Sequence, residues 1–184
     1  MSNIAKFGLR TSYDLYDKLK YDSELLLRRR KRSAEERRLE EFEAFNFFIT
    51  AWHLYKDWLQ GDTLNKPKYS LEKIQEANSK FIEVKDVMRD IANGSKHFEL
   101  NAPAKVAVGE REISSWYSYF FGPQFSIETK SFHFLMYELV GVIMDYFRWI
   151  FDDSELVVFP SKLIEKLEKA REVRTARKKT QGSI

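Results

Sequence analysis

Between Lys130 and Asp152 the chain reads KSFHFLMYELVGVIMDYFRWIFD, a stretch interrupted by only a few charges, among them Glu138, Asp145 and Arg148. Apolar side chains occupy almost the whole circumference of a helix drawn through it. Such a helix must be enclosed by other elements, so the segment predicts a central helix with the rest of the chain packed around it. Charges inside the stretch argue for a buried core helix over a membrane span, and no membrane partner is expected.

The flanking patterns supply the elements that enclose it. Thr11 and Ser12 precede YDLYDKLKYDSELLLRRR, where Leu15, Leu19 and Leu26 recur at helical spacing, which predicts a helix from about 12 to 32. Ser33 stands three residues before Glu36, a capping-box spacing, and opens a second helix that runs to Gln60 and ends at Gly61. A third helix from 71 to about 93 carries Ile74, Phe81, Val84, Met88 and Ile91 on one stripe. After Leu100 the pattern changes. AKVAV, a Gly109-Glu110 turn, REISSWYSYFF, a Gly122-Pro123 turn and QFSIET read as short antiparallel strands, a β insertion over 103–129. Beyond Pro160, Ser161 opens a last amphipathic helix that fades into a basic, frayed tail over 171–184. The fold class expected is mainly α: one domain, 1–184, forming an up-down bundle of about five helices with a small antiparallel β insertion.

With 184 residues, 15 Phe, 9 Tyr and 4 Trp, the chain can fill a large aromatic core. The absence of cysteine excludes disulfides, thiol catalysis and thiolate metal sites, and permits a reducing compartment. The first residues, MSNIAKFGLRTSYDLYDKL, lack the apolar segment of a secretory signal, so a cytoplasmic location is expected. The net charge of +3 is unevenly placed: residues 161–184 carry eight Lys or Arg against three Glu, which leaves −2 for the rest. Arg174, Arg177 and Lys178 in that segment, with Arg37 and Arg38 after the RRRKR cluster at 28–32, are candidate nucleic-acid contacts. The same clusters interleave acidic residues, as solvated helix faces do.

Two polar patterns stand out within the helices. In the second helix Asn46, Thr50, His53 and Asp57 lie four, three and four apart, a stripe on an otherwise apolar surface. It reads as a satisfied internal network fixing helix register, or as a cleft in which Asp57 orients His53 as a base. In RDIANGSKHF, residues 89–98, Asp86, Asp90, Asn93 and His97 fall opposite the Val84–Met88 stripe, with Arg89 at their margin. Arg89, Asn93 and His97 at four-residue steps, with Lys96, could hold a phosphate and move a proton. Folding helices two and three back on each other separates His53 from His97 by roughly 30 Å, so no shared metal and no cofactor is expected. That register places the motif beside residues 33–40, where Arg37 and Arg38 would extend a phosphate-binding surface.

FNFFITAWHLYKDWL (45–59) together with RDIANGSKHF resembles a pattern found in small bacterial proteins, and the helical arrangement resembles the HEPN superfamily. The likeness spans 11–100 and the helix at 130–152, and leaves out the strands. HEPN domains are helical bundles, commonly homodimeric, many of them metal-independent ribonucleases of defence or toxin systems. Their motif is an arginine, a polar residue and then a histidine after four to six intervening residues. Here Arg89 is followed by Asp90, and His97 comes after seven. The resemblance implies an RNA-directed protein in which Arg89 holds the scissile phosphate, His97 is general acid or base and Asn93 or Lys96 stabilises charge. The alternative is a non-catalytic helical binding or scaffold protein with an unidentified protein partner.

Overall fold

The computed structural model describes residues 8–28, 34–65, 79–94, 107–112, 124–151 and 161–181. Helix α1 (Ser12–Leu27) begins at a capping box. Thr11 is extended and its hydroxyl accepts the Asp14 amide at 3.2 Å, while the Asp14 carboxylate accepts the amides of Arg10 and Thr11, each at 2.8 Å. Amides that lack an intrahelical partner are thereby satisfied. These bonds, the Arg10 amide first, hold the exposed Asp14 carboxyl below its ordinary pKa. The helix stops at Leu27, short of the expected 32, because Arg28 turns extended.

Helix α2 (Ala34–His53) widens into a π-helical turn, Leu54–Trp58, and closes with an α turn, Leu59–Gly61, the end the glycine predicts. Ser33 lies outside the described residues, as does the 71–78 portion of the third expected helix. What is described of that helix is α3 (Ser79–Gly94), which buries Phe81, Val84, Val87, Met88 and Ala92.

Three antiparallel strands follow: β1 (Ala107–Glu112), β2 (Gln124–Glu128) and β3 (His133–Leu135), in the order β1-β2-β3. Two expectations are corrected here. Gly109 and Glu110 do not form a turn; they lie within β1, where the register to β2 shifts between Gly109 and Glu112, as at a bulge. Residues 133–135 do not begin the central helix but pair with 126–128, with Phe134 opposite Ile127. The reason lies in the preceding turn. Thr129 donates its amide to the Phe132 carbonyl at 2.9 Å and accepts the Phe132 amide on its hydroxyl at 2.9 Å, which reverses the chain. Glu83 of α3 fixes that turn by accepting the Thr129 hydroxyl at 2.6 Å and the Ser131 amide at 3.0 Å.

Helix α4 (Met136–Phe151) is the centre, as its sequence demands: Leu139, Val140, Ile143, Phe147 and Ile150 are fully buried. Burial of each such side chain contributes about 1.5–3 kcal/mol. Tyr16 of α1 stacks on Phe151 at 4.6 Å and Phe81 of α3 stacks on Tyr146 at 4.1 Å, so α4 touches the helices on either side of α2. Helix α5 (Ser161–Gln181) lays Leu163, Leu167 and Ala170 on α4. It is helical well past 171, where fraying was expected, because its basic residues are anchored to the sheet as described below. The architecture is mainly α, five helices and a small antiparallel sheet among the described residues. No helix among them is long and apolar enough to cross a membrane.

Candidate functional site

The α3 motif is built around one guanidinium. Arg89 places Nη1 2.8 Å from Asp86 Oδ1, and both Nη2 and Nε on Asp90 Oδ1, at 2.7 and 2.9 Å. The planar fork that would grip a phosphate is thus held by two carboxylates of its own helix, and the trio carries a net negative charge. This face is not open. The side chains of Asp86 and Asp90 are 17% and 10% exposed, and Asn93 is half-buried. Lys96 and His97 lie outside the described residues. Beside the trio, Lys85 stands 5.3 Å from the centre of the Tyr55 ring; burial lowers its pKa, against the raising effect of Asp86.

The stripe on α2 divides into three environments. Asn46 is exposed. Thr50 is buried, donating its hydroxyl to Asp22 Oδ2 at 2.7 Å and accepting Lys18 Nζ at 2.8 Å, so α1 and α2 are pinned by a small internal network. His53 Nδ1 lies 2.6 Å from Asp57 Oδ2 near the surface, across the π-helical turn. The four residues therefore do not form one cleft: Thr50 serves packing and His53 pairs with Asp57 on a solvent-facing turn.

The expected nucleic-acid contacts are also dispersed. The Arg37 side chain lies outside the described residues, and Arg38 stands over the Phe42 ring at 5.6 Å. Arg174 donates to Glu128 Oε2 at 2.6 Å, Arg177 approaches Glu128 Oε1 at 3.6 Å, and Lys178 donates to the Lys130 carbonyl at 3.0 Å. Buried His133 places Nδ1 3.1 Å from the same Glu128. These cations fasten α5 to β2 and to the turn after it. Sequence reasoning missed the hub, Glu128, and its counterpart Glu83, because the partners that each fastens across the fold, Arg174 for Glu128 and Ser131 for Glu83, lie 46 and 48 residues away. No group of three His, Asp or Glu among the described residues is placed to hold a metal.

An apolar cavity of about 260 Å³ opens between α2, α3, the sheet and the start of α4. Phe45 and Phe48 of α2, Ile91 of α3, Phe125 of β2 and Met136 of α4 line it, with Glu41 and Asp90 on facing helices. Asp90 therefore belongs both to the Arg89 trio and to the cavity wall. The signal for this site in the sequence was the placing of Glu41, Ala44, Phe45 and Phe48 at i, i+3, i+4 and i+7, which reads equally as an ordinary core face. Comparisons with protein families, curated proteins and solved structures find no match for this chain.

Proposed function

We propose that this chain is a non-catalytic helical binding module, whose α3 motif holds the framework and whose apolar cavity receives a ligand, acting in a cytoplasmic setting. The engagement of Arg89 by Asp86 and Asp90 supports this reading most directly. A phosphate would have to displace Asp90 from the Nε–Nη2 edge and approach a trio of net charge −1, so the arginine serves its neighbours better than a polyanion. Full-length protein incubated with single-stranded and hairpin RNA from pH 5 to 9 without added metal should leave both intact. Arg89→Ala should lower stability by about 1–3 kcal/mol in denaturant titration, since Asp86 and Asp90 would each lose the charged bonds of the guanidinium in a largely desolvated place. Wild-type cleavage that disappears in a fully folded Arg89→Ala variant would sink the proposal.

A second reading is metal-independent RNA cleavage of the HEPN kind, favoured by the direct pairing of Arg89 with the adjacent Asp90 and by Asn93 one turn further on. In it Arg89 exchanges Asp90 for the scissile phosphate, His97 transfers the proton from the ribose 2′-hydroxyl, and a second copy completes the cleft as a homodimer. Its signature in the same assay is a rate that rises with pH through an imidazole pKa, near 6.5 when unperturbed.

A further inference from the structure

We propose that two copies of this chain pair through the outer face of α2, antiparallel and related by a two-fold axis near residue 47. What points to it is an apolar stripe that no element among the described residues covers. At about 100° per residue, Phe42, Phe45, Ile49 and Trp52 fall within about 80° of one another round the helix. Phe42 is 51% exposed and Phe45 43%, while Ile49 and Trp52 are half-buried. A lone exposed apolar side chain is ordinary; a row of four along roughly 15 Å of one helix marks an interaction face. The row holds none of the α3 motif, so the pairing stands or falls apart from the reading of Arg89.

Self-complementarity decides the occupant. Across a two-fold axis every group on the stripe must find its complement on a second copy of the same stripe. The midpoint of Phe42 and Trp52 is residue 47, and so is the midpoint of Phe45 and Ile49. Charge, taken separately, gives nearly the same centre. Arg38 stands over the Phe42 ring at 5.6 Å, and Asp57 is held on this side of the helix by His53 at 2.6 Å. These two mark the ends of the stripe, and their midpoint falls between 47 and 48. An antiparallel pair in that register sets Phe42 beside Trp52 and His53 of the other copy, Phe45 against Ile49, and each Arg38 against the other's Asp57. Lys56 stands over Trp52 at 5.7 Å and Glu41 is exposed one turn after Arg38, so each end gathers two cations and two carboxylates. Glu40 and Glu43 lie more than about 100° round the helix from the centre of the stripe. A parallel pair would set Arg38 on Arg38 and Asp57 on Asp57.

One pair of helices buries less than the roughly 1,200–2,000 Å² of a stable interface, so the dimer is reversible, with a dissociation constant in the micromolar range. The test is sedimentation velocity of the full-length protein from about 2 to 200 µM, over which monomer should pass into dimer. Phe42→Glu, at an exposed position, should keep the circular dichroism spectrum and stay monomeric throughout. Arg38→Glu and Asp57→Lys should each weaken the dimer about tenfold, by setting like charges together at both ends, and the two combined should restore it. The chain has no cysteine, so Asn46→Cys, exposed and close to the axis, introduces a single thiol. Mild oxidation should link that variant between copies and leave Lys169→Cys, on the exposed side of α5, unlinked. A monomer at every concentration, a dimer indifferent to Phe42→Glu, or a double charge variant as weak as its weaker parent overturns the proposal. So does an Asn46→Cys variant that links no faster than Lys169→Cys. If one variant fails to fold, the others decide in its place.

Discussion

Asp62 joins the beginning of α1 to the end of the α2 segment with a single carboxylate. Its Oδ1 accepts the amides of Leu64 at 3.0 Å and Asn65 at 3.1 Å, and its Oδ2 accepts the Asn65 side-chain amide and the Ser12 hydroxyl. Burial pushes its pKa up, but the bonds from Ser12, Asn65 and Leu64 together outweigh burial and leave it below the ordinary value. A carboxyl depressed in the fold contributes stability that is complete above its unfolded pKa, about 3.9, and is lost as pH falls through the lower folded value. Asp62→Asn should therefore lower the thermal midpoint at pH 7, with the gap to wild type closing as pH is taken from 5 to 2. A gap that stays constant over that range would show that the charge is not what matters. Asp62 could not be singled out from the sequence, because Ser12 is 50 residues away. The His53–Asp57 pair could be anticipated, because its spacing is local and helix geometry fixes it.

At the scale of elements, α4 was legible for the same reason that it is central: a run apolar on nearly every side leaves no face for water. Its first expected turn was not legible. The run from Ser131 to Phe134 alternates polar and apolar, a strand-like period, but it is only four residues long and leads straight into the apolar run of the helix, so it fits a short strand as well as a first helical turn. The Thr129 turn and its hold on Glu83 decide the matter, and Glu83 belongs to a different helix. Inside α4, Gly141 has the backbone of an ordinary helical residue, and a Cβ there would meet Lys166 Nζ at 3.7 Å, a normal contact. Gly141→Ala should stabilise the protein by about 0.5–1 kcal/mol by restricting the unfolded chain. A urea midpoint that falls would mean that the α4–α5 contact is closer than this spacing allows.

At the scale of the molecule, α5 acts as a strap. Its first half packs Leu163 and Leu167 on α4, and its second half fixes Arg174 and Arg177 to Glu128 and Lys178 to the Lys130 carbonyl. Removing residues from 171 onward would take Arg174 and Arg177 from Glu128 and Lys178 from the Lys130 carbonyl, so the shortened chain should melt at a lower temperature and lose sheet protection in hydrogen exchange. An unchanged midpoint would make the second half of α5 an ornament. Composition made the basic character of this helix plain and left open whether its charges face water, a polyanion or the protein. The α3 motif was legible to the same degree: Arg89, Asp90 and Asn93 could be placed on one helix, but the cavity that Asp90 lines is assembled from α2, the sheet and α4. Spacing along one helix cannot specify such a convergence.

The Glu128 hub also imposes an order on synthesis. Arg174 follows Glu128 by 46 residues, and at roughly 5–20 residues per second a nascent chain waits several seconds between making the carboxylate and making the cation that covers it. During that interval β2 and β3 can pair while the outer side of the sheet lacks its guanidinium. Until the second half of α5 has been made and has cleared the ribosome, the sheet therefore stands without the cations that fasten it, the stage at which a chaperone has the most to shield.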